Sequence, residues 1–158
     1  MSNFRGFTLV ELAIVVAIMG ILATMAIPSC HQRVVRSQMQ EAIALTLPLR
    51  EDVENFYRSN RRFPSNNQSL GLPVPDKLIG NYVSKIELSD GAYHVTMGHH
   101  VNKLVAGKVI SLRPLYVEDS PKSPISWSCG YRTSPPGMTN AGENRTSVDR
   151  AFLPFECL

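Results

Sequence analysis

The sequence has few of the residues on which enzymes and metalloproteins are usually built. Its three cysteines, Cys30, Cys129 and Cys157, make no C-x-x-C pair. His94, His99 and His100 lie close together in the chain. However, His99 and His100 are adjacent and point to opposite faces if extended, and no Cys or acid pattern completes a zinc set. There is no G-x-S-x-G elbow, phosphate loop or dinucleotide fingerprint. Enzyme activity, a metal and a cofactor are therefore not expected. A net charge of +3 and a pI near 8.9 are milder than a dedicated nucleic-acid binder requires. The single tryptophan, Trp127, reads as a core residue rather than a platform for stacking bases. Asn144-Arg145-Thr146 matches a glycosylation sequon, a tripeptide common by chance.

Charge is also missing from one long stretch. Residues 7–27 read FTLVELAIVVAIMGILATMAI, and Glu11 is their only charge. These 21 residues would rise about 32 Å as a helix, close to the hydrocarbon thickness of a bilayer. A carboxylate in such a segment costs roughly 2.5–3.5 kcal/mol in lipid. A plain anchor has no use for that cost, so Glu11 implies a partner charge. A secretory signal peptide fits poorly, because Ala26-Ile27-Pro28-Ser29-Cys30 is a poor cleavage region and Thr24-Met25-Ala26 passes only a loose filter. No lipobox precedes Cys30.

Helical register continues beyond the run to about Ser59. Ile43, Leu45, Leu49, Val53, Phe56 and Tyr57 form an apolar stripe, with Glu41, Arg50, Glu51, Glu54 and Arg58 on the rest. Pro28 and Pro48 should bend or locally break this helix. Asn60-Arg61-Arg62-Phe63-Pro64 should end it, as a solvated basic cap rather than a polyanion patch. Residues 64–80 are rich in Pro, Gly and Asn and read as loop. Strands are predicted at 82–88, 92–97, 108–115 and 125–131, the first two joined by a hairpin turn at Ser89-Asp90-Gly91. Two cysteines in the late, polar part of the chain favour a disulfide and an oxidising compartment over a metal site.

Gly6-Phe7-Thr8-Leu9-Val10-Glu11-Leu12 resembles the processing and methylation motif of type IV prepilins. The resemblance covers about residues 1–40 and includes the short basic leader, the apolar helix and Pro28. It implies that residues 1–6 are a leader removed after Gly6 by a prepilin peptidase, and that Phe7 becomes the first residue, N-methylated on its amine. It implies that residues 7–29 are a transmembrane and polymerisation helix and residues 30–158 a periplasmic head that includes the amphipathic half of the helix. Arg5, the only basic residue before the run, should stay cytoplasmic. Glu11 would meet the new amine of a neighbouring subunit and set its axial register, since a shielded ion pair is favourable only when both charges are held together.

A weaker resemblance covers the head. Trp127, two residues before Cys129, and Cys157 near the C-terminus look like the disulfide-bounded loop of type IVa pilins, and residues 106–112 are similar to the strand before it. The fold implied is α+β. A long N-terminal helix, membrane-spanning then amphipathic, packs on a four-stranded, mostly antiparallel sheet with a C-terminal disulfide loop. That loop should have little regular structure, its shape set by the disulfide.

The implied partners are other pilin subunits, the peptidase and N-methyltransferase, the inner membrane and the assembly machinery, with DNA or a host surface beyond these. The implied locations are the inner membrane before assembly and an extracellular fibre after it. Such a fibre would serve adhesion, twitching motility or DNA uptake. Two alternatives stand beside a structural pilin: a minor pilin with a binding role, and a pseudopilin of a type II secretion machine. Cys30 departs from the family, which often has an aromatic residue there. It reads either as a small buried apolar residue or as an intersubunit thiol.

Overall fold

The computed structural model describes residues 6–158, without the side chains of residues 25–30. Residues 1–5, with Arg5, and the side chains of Pro28 and Cys30 lie outside the described residues. Two compact units divide the chain, Met1–Val34 and Val35–Leu158.

Helix α1 spans Leu9–Ala44 and helix α2 spans Leu47–Asn60. Position 28 is helical, so Pro28 does not break α1. The interruption falls instead at Leu45 and Thr46. There the Thr46 N–H bonds the Ile43 carbonyl at 3.0 Å, and the Thr46 hydroxyl donates to the same oxygen at 2.7 Å. Pro48 then occupies the first turn of α2, where a missing N–H is not needed.

The buried line along these helices is Val35, Met39, Ala42, Thr46, Val53 and Tyr57, with Leu49 partly buried against the core. The four-then-three spacing is that of one helical face. It lies a little off the predicted stripe: Ile43 is only partly buried and Leu45 is exposed. Helix α2 ends at Arg61, whose backbone is left-handed (φ 58°) and whose N–H bonds the Tyr57 carbonyl.

The sheet contains β1 (Val83–Ser89), β2 (Ala92–Met97), β3 (Val109–Tyr116) and β4 (Ser126–Cys129) in that spatial order, all antiparallel. Asp90 and Gly91 make the β1–β2 turn, both with positive φ, the geometry that favours Asp-Gly in two-residue hairpins. A fifth strand was not foreseen. β5 (Thr139–Asn140) pairs with the end of β3, beyond the last residue that β3 shares with β2. Pro114 lies in this stretch, opposite Trp127 and past the β2 ladder, so its missing N–H breaks no β2 bond. The fourth strand stops at Cys129, short of Tyr131. Gly130 turns away at φ 60°, where a Cβ would collide with the Cys157 carbonyl.

Helices and sheet share one core, in which Val35, Met39 and Val53 join Ile86, Val95, Met97, Ile110 and Leu112. Tyr93 is fully buried and donates its hydroxyl to the Leu49 carbonyl at 2.9 Å. Trp127 stacks near Tyr93, donates its indole N–H to Glu54 at 3.0 Å, and lies under the Arg50 guanidinium. Its polar contacts thus fasten α2 to the sheet.

Candidate assembly and processing site

Gly6 and Phe7 precede α1 in irregular backbone, and Phe7 is 80 % exposed. Among the described residues nothing lies within 4 Å of a Cβ added at Gly6. Thr8 starts the helix. Its hydroxyl accepts the Glu11 N–H at 3.3 Å, and its carbonyl accepts the Leu12 N–H at 3.2 Å. Thr8 and Glu11 thus occupy the Ncap and N3 positions of a capping-box sequence. The sequence reading missed this role, although the T-x-x-E spacing announces it. It places a carboxylate in the first turn, where the helix dipole favours negative charge.

Between Glu11 and Thr24 the helix has no polar face. Ile14, Val15 and Val16 are consecutive and all exposed, as are Ile18 with Met19 and Ile21 with Leu22. Successive residues step by about 100° around the axis, so apolar groups look out in every direction. The one hydroxyl here, Thr24, donates to the Ile21 carbonyl at 2.7 Å and so is satisfied within the helix. Among the described residues no helix is long and apolar enough to cross a membrane. The described part of the run within α1, residues 9–24, rises about 24 Å, less than a bilayer core of about 30 Å. The expected span of 7–29 continues into side chains outside the described set.

At the other end of the chain, Cys129 and Cys157 form a disulfide, with Cα atoms 4.6 Å apart. The loop it closes is more ordered than expected. Besides β5 it holds 3-10 turns at Arg150–Phe152 and Phe155–Cys157, and Val148 and Leu153 are fully buried. Residues 144–147 line β3 where β4 has ended. Val109 and Ser147 exchange bonds at 2.9 Å, and the Ser111 N–H reaches the Thr146 hydroxyl at 3.1 Å. Backbone pairing and packing shape the loop, not the disulfide alone.

The sequon amide is engaged here. Asn144 Nδ2 donates to the Gly130 carbonyl at 2.8 Å, and its Oδ1 accepts from Thr146. Of the histidines, His94 is 3 % exposed and bonded to Ser111, while His99 and His100 lie on an exposed turn. Burial, and next the Arg145 charge, lower the His94 pKa to about 4. Among the described residues no three His, Cys, Asp or Glu side chains gather as metal ligands.

A family model described as pilin (bacterial filament) matches residues 35–158. The chain belongs to the pilin family. The prokaryotic N-terminal methylation motif matches residues 1–27 of this pilin. It is 35 % identical to a type IV major pilin protein, PilE1, of Neisseria gonorrhoeae, over 97 % of this chain and 86 % of the relative. It is 33 % identical to a fimbrial protein of Neisseria meningitidis, over 97 % of this chain and 93 % of the relative. With the fimbrial protein EcpC of Eikenella corrodens the identity is 32 %, over 97 % and 90 %. The family is one of structural filament proteins, and these relatives favour the structural reading over a secretion pseudopilin.

Proposed function

We propose that this pilin is a structural subunit of a type IV pilus, made as a membrane-anchored precursor. Residues 1–6 act as the leader and stay cytoplasmic with Arg5. A prepilin peptidase cuts between Gly6 and Phe7, and the new amine of Phe7 is methylated. Residues 7–29 hold the precursor in the inner membrane, with residues 30–158 in the periplasm. The same helix then leaves lipid to pack among its copies in an extracellular fibre.

The observation that carries this reading is a helix whose first turns, to Thr24, are apolar on every side and opened by a single carboxylate. Such a surface is stable only in lipid or among other apolar helices. Lipid receives it before assembly and neighbouring subunits after. Glu11 is costly in the first setting and useful in the second, where the Phe7 amine of another subunit neutralises it.

Mass spectrometry of the chain from sheared, purified fibres tests the proposal. The expected mass lacks residues 1–6, carries one methyl group on Phe7 and is two hydrogens lighter for the disulfide. A chain that keeps its leader in the fibre, or that never enters fibres, overturns it.

A further inference from the structure

A polar rank crosses the face of the sheet beneath the C-terminal loop. Glu87 on β1 lies opposite His94 on β2, and His94 lies opposite Ser111 on β3. Paired residues share a face in an antiparallel sheet. Arg145 of the loop closes over this rank. Its backbone N–H donates to Ser111 Oγ at 2.8 Å, and its guanidinium bridges Glu87 at 3.0 Å and Glu143 at 3.3 Å. Ser111 Oγ is also 2.9 Å from His94 Nδ1. One hydroxyl therefore ties the imidazole to the loop backbone.

We propose that His94 is an acid-sensitive latch: protonating its ring releases residues 144–147 from β3, while the Cys129–Cys157 bond keeps the loop attached. A neutral ring suits the site with its proton on Nδ1, donating to Ser111 Oγ and leaving Nε2 bare. A charged ring carries an N–H on both nitrogens, and the buried Nε2 has no acceptor to meet one. The charged groups around the ring are Arg145 and Glu143 of the loop, Glu87 of β1 and Arg113 of β3. The two arginines and burial oppose protonation, and the two carboxylates favour it. Opposition prevails while the loop is closed, so His94 stays neutral down to about pH 4. Opening the loop admits water and restores the ordinary value near 6.5. Acid then favours the open form, by roughly a hundredfold in the opening equilibrium between pH 7 and pH 4 and about 300-fold at the limit below it.

Amide hydrogen exchange on the full chain in detergent, corrected for intrinsic rates, reads the latch. Between pH 7 and pH 4 the Arg145 and Ser147 amides should lose protection on the order of a hundredfold, while β1–β2 amides keep theirs. His94→Asn keeps a hydrogen-bonding amide near Nδ1 and the Arg145 bridges, but cannot titrate. Its loop protection should not fall with pH. A fall as steep as in the native chain would assign the effect to Glu87 and Glu143 and overturn the proposal. If His94→Asn does not fold, NMR titration of the native His94 ring decides. A ring midpoint well below 6.5 that coincides with the loop change supports the latch. A midpoint near 6.5, or loop opening without ring titration, overturns it.

Discussion

Glu11 and Thr8 divide one helix start between two tasks. Thr8 satisfies the Glu11 N–H and so belongs to folding, while the Glu11 carboxylate is proposed to meet the amine of another subunit. Removing each should separate the two. Thr8→Ala should weaken the first turn by about 1 kcal/mol, and fibres should still form. Glu11→Ala should leave cleavage after Gly6 intact and reduce pili in the sheared fraction severalfold or more. Normal pilus number and length in Glu11→Ala would remove the ion pair from the mechanism.

Asn67 shows a residue that sequence reading passes over. It looks like one more polar loop residue, yet it is buried. It accepts the Leu88 N–H at 2.7 Å and donates to the Ile86 and Pro73 carbonyls, filling in for a missing strand along β1. Asn67→Ala leaves those backbone groups unpaired and should destabilise the fold by about 2–3 kcal/mol. A shift of the urea midpoint with an unchanged slope would show it. The cue was weak because a buried asparagine and a solvated one have the same neighbours in sequence.

Among the elements, strongly periodic or strongly punctuated stretches were legible. The Asp90-Gly91 turn falls where the hairpin was predicted, and β2 has its predicted limits. The helix break was harder to read. Pro48 marks it, but the interruption lies upstream, because proline fits the start of a new helix better than the end of an old one. β5 is only two residues long and was invisible, since its identity as a strand comes from the free stretch of β3 beside it. The disulfide loop carries its own prediction. Replacing Cys129 and Cys157 by Ser should cost about 3–4 kcal/mol by loop entropy. At pH 7 the amides that bind residues 144–147 to β3 should nevertheless remain protected against exchange, because the Ser147–Val109 backbone bond and the hydroxyls of Ser111, Thr146 and Ser147 hold them. Complete loss of protection there would make the covalent link the sole organiser of the loop.

At the scale of the whole molecule, His94 adds a pH dependence to global stability. Its pKa is lowered from 6.5 to about 4 in the folded chain. The unfolded chain therefore binds the extra proton over that interval, and stability falls as pH drops through it. The total is about 3 kcal/mol, reached near pH 4 and flat below. Urea unfolding of the full chain in detergent should show this slope, and His94→Asn should lose that part of it.

The all-round apolar surface of residues 12–24 bears on how a fibre begins. A single neighbour covers only one side of such a cylinder and leaves the remainder facing water or lipid. A pair of subunits therefore gains little over separate chains held in the membrane, and only a helix ringed by copies is fully enclosed. Growth from an existing end should far outpace the birth of new ends, so elongation has a lag that preformed fibre fragments abolish. For this chain the smallest stable assembly should be a nucleus of several subunits rather than a dimer, an outcome that cross-linking in detergent would check.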